Sequence, residues 1–370
     1  MAQGLKRDKV LAICGLSKNQ FYYTPKGGRP GRKPSRHTLQ QVGGEVVKRS
    51  NQFVKDYMKS LFDDPLIDYG YHRMTGALQL AGFYINHKKV YRLMKTARLL
   101  RPVETKTPKG YVKYRIVCPE GPLRLMEMDI KQVWVEGLRR YVYVLTILDV
   151  LTRCVLYWEA GFCMKQQQVQ SAWEQVIEGH LEPEGMRAWE MHIEIRSDNG
   201  PQFCAEKLRQ FLLDNYLVQT FTHPYTPQEN GHIESFHAIL AKALRGEYFE
   251  DLPAVRTWLG RFYGHYNYER VHSSTCNLPP MTFWDQWKTG HVERVLLSEK
   301  ERKVRFLLKV PRQQIQKVEP AGNESQREVL SLIFEGSIPE KIKIGTGGLL
   351  AEPALQSQTD GAVLNAQPAV

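Results

Sequence analysis

The 370-residue sequence predicts a mixed α/β sheet flanked by helices and preceded by an all-α region. The sheet is indicated by three consecutive β-rich runs, Leu123–Ile130, Tyr141–Val150 and Cys154–Ala160, each bounded by turn or charged residues. Helical and extended patterns then alternate, which is typical of a mixed sheet with helices on its faces. Upstream, from about residue 45 to residue 100, apolar residues recur at helical spacing instead.

The elements after the third run are assigned by the period of their apolar residues. Helices are predicted at Val169–His180, Phe203–Asn215 and Asn230–Leu244, and strands at Met191–Ile195 and Val218–Thr222. A charged, strand-like piece follows at Lys303–Val310. We therefore assign residues 119–290 to one α/β domain and 291–344 to a C-terminal extension. Residues 345–370, rich in Gly, Ala, Gln and Ser, are predicted to be a disordered tail.

The first 100 residues predict two helical units joined by a basic linker. Residues 1–24 hold a helix at Arg7–Gly15 and a second helix capped by Ser17. Residues 25–44 combine Pro and Gly breaks with cations, which predicts a flexible linker; those cations include Arg29, Arg32 and Lys33. In residues 45–100 a short helix, a Gly-containing turn and a cation-rich second helix follow the helix-turn-helix plan.

Positive charge is concentrated in the first third of the chain. Residues 1–118 hold 24 Lys and Arg against 7 Asp and Glu, a net of +17, whereas residues 119–290 have a net of −6. This division predicts a polyanion-binding arm attached to a mildly acidic domain. In the helix that Asn86 caps, the outward cations suit entry into a DNA major groove; they are Lys88, Lys89, Arg92 and Lys95. A solvated basic face is the alternative interpretation.

Composition argues against membrane and exported proteins. The longest apolar stretches, such as Tyr141–Leu148, fall far short of the ~20 residues that a membrane-spanning helix needs. The first residues lack the apolar run of a secretory signal, so we expect a cytoplasmic protein. The six cysteines are scattered without a C-x-x-C pair, which argues against a disulfide framework and against a zinc cluster.

Three carboxylates occupy positions that suit a functional site. Asp129 lies within an apolar run typical of a buried strand, where an ionised carboxylate is costly unless it is paired or binds a metal. Asp198 follows a strand where it becomes a loop, the usual place of sites in α/β folds. Glu234 lies at the edge of the core-facing stripe of a long helix. Structural alternatives stay open, namely an ion pair, a turn and a surface position, respectively. Asp149, nearby in sequence, is expected to be structural, as an ion pair with Arg153.

The order Asp129, Asp198, Glu234, with 35 residues between the last two, resembles the DDE triad of retroviral-integrase-like transposases. The sequence segments around and after the triad residues match this group as well; they are Ser197-Asp198-Asn199-Gly200, Asn230-Gly231-His232-Ile233-Glu234-Ser235-Phe236-His237 and Tyr266-Asn267-Tyr268-Glu269-Arg270-Val271-His272-Ser273. Two upstream segments resemble the DNA-binding region of bacterial insertion-sequence transposases of the OrfB kind; they are Tyr69-Gly70-Tyr71-His72-Arg73-Met74-Thr75 and Asn86-His87-Lys88-Lys89-Val90-Tyr91-Arg92-Leu93-Met94. The resemblance covers roughly residues 1–290.

The resemblance implies an RNase H-like catalytic core at residues 119–290, a divalent metal, and movement of a DNA element. Converging carboxylates repel one another and favour hard cations, so we expect Mg²⁺ or Mn²⁺, as two ions about 3.5–4 Å apart. Asp129 is assigned as the ligand that bridges both ions, and Asp198 and Glu234 as ligands of one each. Water is expected to be the first nucleophile, and the freed 3′-hydroxyl the second, without a covalent enzyme–DNA intermediate.

Three features depart from the pattern of the family. Glu127 stands two residues before the first Asp, where a Trp is often found. Ala241 stands where a Lys is common, and Lys242, one place later, points away from the flank that carries Glu234. Residues 291–370 continue past the usual end.

The expected partners are DNA at the element ends and at the target, in the nucleoid of a bacterium. A homo-oligomeric synaptic complex is expected because two element ends must be held together, and no membrane partner is expected. A helix-turn-helix protein encoded upstream stays open as a further partner. Additional DNA contacts are expected from Arg73, Lys242, Arg270 and His272. The aromatic segment Phe262–Tyr268 either stacks on unpaired bases or packs a helix onto the core.

Two other functions stay open. A DNA-binding regulator with an inactive RNase H-like domain would carry the same basic region, and only the intact triad argues against it. A cellular RNase H-like nuclease would not require two basic helical units. A tyrosine recombinase is excluded, because His291-Val292-Glu293-Arg294 supplies its His-x-x-Arg motif but no Tyr follows Tyr268.

Overall fold

A computed structural model describes residues 4, 6–24, 34–101, 119–186, 192–222, 227–298 and 303–320 of the chain. All of these except Pro320 belong to one unit, Met1–Glu319. A pair of N-terminal helices is followed by a region of helices and short strands, then by a five-stranded sheet with helices on both faces, and by a hairpin. Within the described ranges no helix combines the length and the apolar character needed to cross a bilayer.

The N-terminal segment forms the two helices expected from the sequence, α1 (Arg7–Ile13) and α2 (Lys18–Phe21). The Ser17 hydroxyl accepts a hydrogen bond from the backbone N–H of Gln20 at 3.2 Å, and the Ser17 N–H donates to Gln20 Oε1 at 2.9 Å. This reciprocal arrangement is a capping box. The cap predicted at Ser17 is confirmed.

The next region begins with a β-hairpin that the periodicity analysis missed. Strands β1 (His37–Val42) and β2 (Glu45–Ser50) pair antiparallel, and β3 (Phe83–Tyr84) pairs with the other edge of β1. The helix expected from residue 45 is therefore wrong over β2, and residues 37–42 lie in a strand rather than in a linker. The reason is the Gly43-Gly44 turn, whose φ values of 55° and 88° are those of a tight two-residue hairpin loop.

Three helices complete this region. They are α3 (Asn51–Phe62), α4 (Tyr71–Leu80) and α5 (His87–Thr96). Their shared core is apolar and includes Val54, Met58, Leu78, Val90 and Met94. Asn86 caps α5 as predicted, because its side chain accepts a hydrogen bond from the Lys89 backbone N–H at 2.9 Å. Helices α4 and α5, with the turn between them, form the helix-turn-helix arrangement expected from the sequence.

The large sheet has the strand order β6-β5-β4-β7-β8. Its strands are β4 (Leu125–Val135), β5 (Arg140–Asp149), β6 (Val155–Gly161), β7 (Ile193–Ser197) and β8 (Leu217–Phe221). The first three are antiparallel, whereas β7 and β8 run parallel to β4. Three antiparallel strands followed by two parallel strands, with helices in between, make the fold RNase H-like, as predicted.

Helices cover both faces of this sheet. One face carries α6 (Gln166–Val176), α7 (Pro201–Cys204) and α8 (Glu206–Asp214), and the other carries α9 (Gly231–Ala243) and α10 (Leu252–Gly264). The single helix predicted at Phe203–Asn215 is interrupted at Ala205. Alternate residues of β4 enter opposite cores, Met126 and Met128 the first, Val133 and Val135 the second. By this alternation Glu127 and Asp129 face α9.

The chain ends, within the described residues, in a helix and a hairpin that pack beside the sheet. They are α11 (Pro280–Lys288), β9 (Val292–Ser298) and β10 (Lys303–Leu308), and β10 confirms the strand-like piece expected there. Beyond the hairpin, Arg312 donates hydrogen bonds to the Cys276 carbonyl at 2.8 Å and to Gln79 Oε1 at 3.0 Å. The C-terminal segment thus connects the core with helix α4.

Two structural expectations have clear outcomes. Asp149 is fully buried, but it accepts hydrogen bonds from the Leu123 N–H, the Thr152 N–H and the Thr152 hydroxyl at 2.6–2.8 Å. The Arg153 N–H donates to the Asp149 carbonyl at 3.0 Å, but no ion pair joins the two side chains, so the predicted ion pair is wrong: the tight turn after β5 offers closer donors to the carboxylate. In the aromatic segment, Phe262 and Tyr266 are buried in the core between α9 and α10, which favours packing over base stacking.

Candidate active site

Asp129 lies on β4, and Asp198 directly follows the neighbouring parallel strand β7. The β4–β7 register pairs Met126 with Ile195 and Glu127 with Arg196. Asp129 lies two residues beyond Glu127 and Asp198 two residues beyond Arg196, so both carboxylates lie near the same end of this strand pair. Asp198 is the first residue beyond β7, so its side chain stands at the carboxyl end of the strand.

Hydrogen bonds hold each of these carboxylates. Asp129 Oδ1 accepts a hydrogen bond from the Ile130 N–H at 2.7 Å, and Asp129 Oδ2 lies 3.2 Å from Nδ1 of His237 on α9. Asp198 Oδ1 accepts a hydrogen bond from the Gly200 N–H at 3.0 Å. Burial, reinforced by repulsion from Asp129, raises the pKa of Asp198 above its ordinary value although the Gly200 N–H opposes the shift. Like charge is therefore concentrated at this point.

Both carboxylates line a cavity of about 450 Å³ at this edge of the sheet. Its wall combines polar and apolar side chains; they are Asp129, Ile130, Gln132, Tyr143, Phe162, Cys163, Met164, Lys165, Asp198 and Gln202. Lys165 begins α6, and no ion pair joins it to another described residue. The cavity therefore combines an acidic pair with a cation, which suits a substrate that carries a phosphate.

Glu234 is exposed in the first turn of α9, the helix that packs against β4. It is not among the residues that line the cavity. Over the described ranges no three His, Cys, Asp or Glu side chains lie close enough together to hold a metal ion. The structure thus brings Asp129 and Asp198 together and leaves Glu234 on the adjoining helix.

A buried polar cluster, which sequence reasoning missed as a site feature, underlies the start of α9. Glu127 is fully buried, and its Oε2 accepts a hydrogen bond from the Ile233 N–H at 2.7 Å. Burial raises the pKa of Glu127 to about 7 despite that hydrogen bond and the nearby charges of Arg153 and Arg196. Burial, together with the same two arginines, lowers the pKa of His232 to about 3. The sequence did contain a signal for this cluster, because Glu127 stands two residues before Asp129 and therefore lies on the same face of the strand.

The predicted DNA contacts on α5 have two different environments. Lys88 and Lys95 are exposed, whereas Lys89 and Arg92 are half-buried. Lys89 Nζ donates hydrogen bonds to Ser35 Oγ at 3.0 Å and to the His37 carbonyl at 2.5 Å, so it ties α5 to the hairpin. The linker cations predicted at Arg29, Arg32 and Lys33 lie outside the described residues.

Four other predicted contacts are instead placed at an internal junction. Arg270, Lys242 and Arg73 all bind Asp68, with nitrogen–oxygen distances of 2.8, 2.8 and 2.9 Å. Arg270 is 3% exposed. Burial, assisted by the charge of Arg270, lowers the pKa of His272 well below its ordinary value. In this structure Arg270 is therefore buried and His272 half-buried, because their segment packs between the helical region and the sheet.

The comparisons with known proteins agree with this architecture. An "Integrase core domain" family model matches residues 119–227, a second one of that description matches residues 217–280, and an "HTH-like domain" model matches residues 48–107. The 39.2 kDa protein of insertion element IS476 from Xanthomonas euvesicatoria is 26% identical over 288 residues, which cover 77% of this chain and 74% of that protein. The protein assigned as transposase InsK of insertion sequence element IS150 from Escherichia coli strain K12 is 21% identical over 75% of this chain and 93% of its own.

Solved structures are more distant. The simian T-cell lymphotropic virus intasome in complex with a PP2A regulatory subunit matches at 15% identity and a TM-score of 0.37, covering 62% of this chain and 74% of that one. The catalytic domain of Mos1 mariner transposase matches at 16% identity and a TM-score of 0.35, covering 44% and 74%. These TM-scores are low, so the assignment depends on the family models and on the sequence relatives. Residues 119–280 thus match integrase core domain models, residues 48–107 match an HTH-like domain model, and the sequence relatives are insertion-element proteins, one of them assigned as a transposase.

Proposed function

We propose that this chain is a metal-dependent DNA transposase that cleaves DNA at the ends of a mobile element and joins the freed 3′-hydroxyl to target DNA. The observation that carries the proposal is the pair Asp129 and Asp198, adjacent on parallel strands and lining one cavity. The match to an integrase core domain model and the similarity to a protein assigned as a transposase support the reaction class. The basic helical region at the N-terminal side supports DNA as the substrate.

The side chains at this edge of the sheet fit a divalent cation. Burial and, to a smaller extent, repulsion from Asp129 raise the pKa of Asp198, and a hard cation bound between the two carboxylates would relieve that repulsion. We propose that Asp129 and Asp198, with Glu234 contributed by α9, would hold the divalent metal, as two ions. Bound Mg²⁺ or Mn²⁺ would activate the attacking oxygen and stabilise the leaving oxygen of the phosphodiester.

The residues of the chain itself perform the remaining tasks. His237 holds one oxygen of Asp129 through its Nδ1, which orients the carboxylate toward the cavity. Lys165 offers an ammonium group to a substrate phosphate at the cavity wall. Lys88 and Lys95 on α5 contact the DNA backbone outside the active site. Assembly of two copies on two element ends is proposed, and none of the comparisons points to a separate helix-turn-helix protein encoded upstream.

The test is a strand-transfer assay on Asp129→Asn, Asp198→Asn and Glu234→Gln, each an isosteric loss of one charge. Duplex DNA with the element's end sequence is incubated with the full chain and Mg²⁺, and nicking and joining are followed on denaturing gels. We expect each variant to lose about 100-fold or more of both activities while retaining DNA binding in mobility-shift assays. Asp214→Asn on the exposed surface of α8 is the matched control and should remain fully active.

Two results would contradict the proposal. Full strand transfer by any one of the three variants would remove that residue from the metal site. Tight binding of end DNA by the unaltered chain without any nicking, in either Mg²⁺ or Mn²⁺, would favour the DNA-binding regulator with an inactive core.

A further inference from the structure

We infer that Glu127 is a positioning residue, which sets the register of α9 on β4 and thereby places Glu234 beside Asp129 and Asp198. Its effect on strand transfer rests on the proposed function, whereas its effect on α9 does not.

The spacing of contacts along the strand matches their spacing along the helix. Glu127 and Asp129 are two residues apart on one face of β4, a rise of about 6.6 Å. Their partners on α9, the Ile233 N–H and the His237 ring, are four residues apart, a rise of about 6 Å. Because the two rises agree, both contacts form together only in one register of the helix along the strand. Glu234 lies between the two contact points.

Glu127 also replaces the missing cap of α9. The first N–H groups of a helix have no partner within the helix and need an acceptor from elsewhere. Asn230 occupies the N-cap position, but its side chain makes no capping hydrogen bond. Glu127 Oε2 supplies the acceptor instead, at 2.7 Å from the Ile233 nitrogen. The start of α9 is thus fastened to the strand that carries Asp129, and not to its own N-cap.

The buried carboxylate is compensated by charge from two other strand ends. Arg196 on β7 is 3% exposed and donates to Glu194 Oε1 at 2.9 Å and to the Glu229 carbonyl at 3.3 Å. Arg153, after β5, is a second nearby cation whose Nη1 is buried without a hydrogen-bond partner in the described residues. An apolar side chain would fit a core position at lower desolvation cost. The presence of a carboxyl acceptor at this core position is therefore explained by the Ile233 N–H that it holds.

Two variants separate the effect of the length of the Glu127 side chain from the effect of its charge. Glu127→Gln keeps an oxygen that can accept the Ile233 N–H but removes the charge, whereas Glu127→Asp keeps the charge but is one methylene too short. Amide hydrogen exchange over residues 231–237, in the full chain without metal or DNA, reports how firmly the first turns of α9 are held. Exchange over α10 (Leu252–Gly264) is the internal reference for global stability, and Asp149→Asn is the control for loss of a buried carboxylate in the same sheet.

Glu127→Asp is expected to speed exchange at residues 231–237 about fivefold to tenfold relative to α10. Glu127→Gln should stay within about twofold of the unaltered chain. In strand transfer, Glu127→Asp should lower kcat about tenfold with an unchanged KM for DNA, and Glu127→Gln should restore most of kcat. Asp149→Asn should raise exchange in both helices equally or in neither.

Unchanged exchange at residues 231–237 in Glu127→Asp would overturn the inference. So would equal losses of kcat in the Gln and Asp variants with α9 held as in the unaltered chain, since Glu127 would then act at the metal or the substrate. If the unaltered chain performs no strand transfer at all, the proposed function fails while the exchange result still decides the role of Glu127.

Discussion

At the scale of single residues, Lys165 is the cation in the wall of the cavity at which we propose that the substrate phosphate binds. Lys165 lines the same cavity as Asp129 and Asp198, and no described acid forms an ion pair with its ammonium group. A phosphodiester is an anion that two carboxylates repel, so a nearby cation lowers the cost of bringing it in. The position of Lys165 at the start of α6, next to the cavity wall formed by Phe162 and Met164, keeps it within reach of that phosphate.

Replacement of Lys165 by Gln should therefore weaken transfer. We expect Lys165→Gln to lower kcat/KM for end DNA about tenfold, equivalent to ~1.4 kcal/mol of transition-state stabilisation. The measurement is single-turnover strand transfer over a range of DNA concentrations. Lys207→Gln, which removes an exposed lysine on α8, is the matched control and should change kcat/KM by less than about twofold. Equal rates for Lys165→Gln and the unaltered chain would exclude a substrate contact.

At the scale of elements, the helical region is fastened to the sheet domain through Asp68 and Tyr69. Asp68 receives Arg73 from its own region and both Arg270 and Lys242 from the integrase core. The Tyr69 hydroxyl accepts a hydrogen bond from the Val271 N–H at 2.9 Å. Burial alone would raise the pKa of Asp68, but the three cations outweigh it and hold that pKa well below its ordinary value.

Asp68→Asn should consequently destabilise the chain. Loss of the charge leaves buried Arg270 without its carboxylate, and we expect the free energy of unfolding to fall by about 2–3 kcal/mol at pH 7. Urea titration followed by circular dichroism gives the measurement. Asp56→Asn, which breaks an exposed pair with Lys59, should cost at most about 0.5 kcal/mol.

The same contact has a defined pH dependence. Because the folded pKa of Asp68 is depressed, its stabilisation is complete above the unfolded value of about 4 and declines as pH falls toward the folded pKa. The stability difference between the unaltered chain and Asp68→Asn should shrink between about pH 4 and pH 2. A difference that stays constant over that range would show that Asp68 is not held by these cations.

Gly76 marks the closest approach of α4 to the core. A Cβ built there would lie 2.6 Å from Asn277 Cβ and 3.0 Å from the Asn277 carbonyl oxygen. Gly76→Ala should lower the free energy of unfolding by about 1–3 kcal/mol through overpacking, measured by urea titration. Gly264→Ala, in helical backbone at the end of α10 with no atom within 4 Å, should instead stabilise by about 0.5–1 kcal/mol. A neutral effect of Gly76→Ala would mean that α4 moves away without cost.

At the scale of the whole molecule, the N-terminal region and the core carry net charges of opposite sign. The first 118 residues carry a net of +17, and the core from residue 119 to residue 290 carries a net of −6. An acidic core repels DNA except where cations occupy its surface, so the basic region provides most of the attraction. Binding should therefore weaken steeply as salt is added.

The double variant Lys88→Gln, Lys95→Gln tests where that attraction lies. Each exposed lysine that contacts a phosphate contributes about 1 to the slope of log affinity against log salt. We expect the slope of the double variant to be shallower by about 2, measured by fluorescence anisotropy with end DNA from 50 to 300 mM salt. Lys59→Gln on α3 with Lys207→Gln on α8 is the control of equal charge and should leave the slope unchanged. An equal loss in both double variants would indicate a general charge effect.

Local patterns in the sequence were enough for the identity of most elements and for two members of the site. An apolar run indicated β4 with Asp129 inside it, and the change from strand to loop after β7 singled out Asp198, because short-range sequence patterns indicate buried strands and their ends. The helix expected over β2 failed for the same reason. Val46 and Val47 fit either period, and only the pairing of β2 with β1 across the Gly43-Gly44 turn selects the strand.

The sequence by itself determined the resemblance to insertion-sequence transposases, the fold class, the basic first third and the candidate triad, since each of these depends on residue type and order. The tertiary structure alone decided the neighbours across long separations: Glu127 against Ile233, Asp68 against Arg270, and Asp129 beside Asp198. It also assigned Arg270 and His272 to an internal junction. The physical reason is that burial and pairing depend on which surfaces meet after folding, and no local period along the chain encodes that meeting.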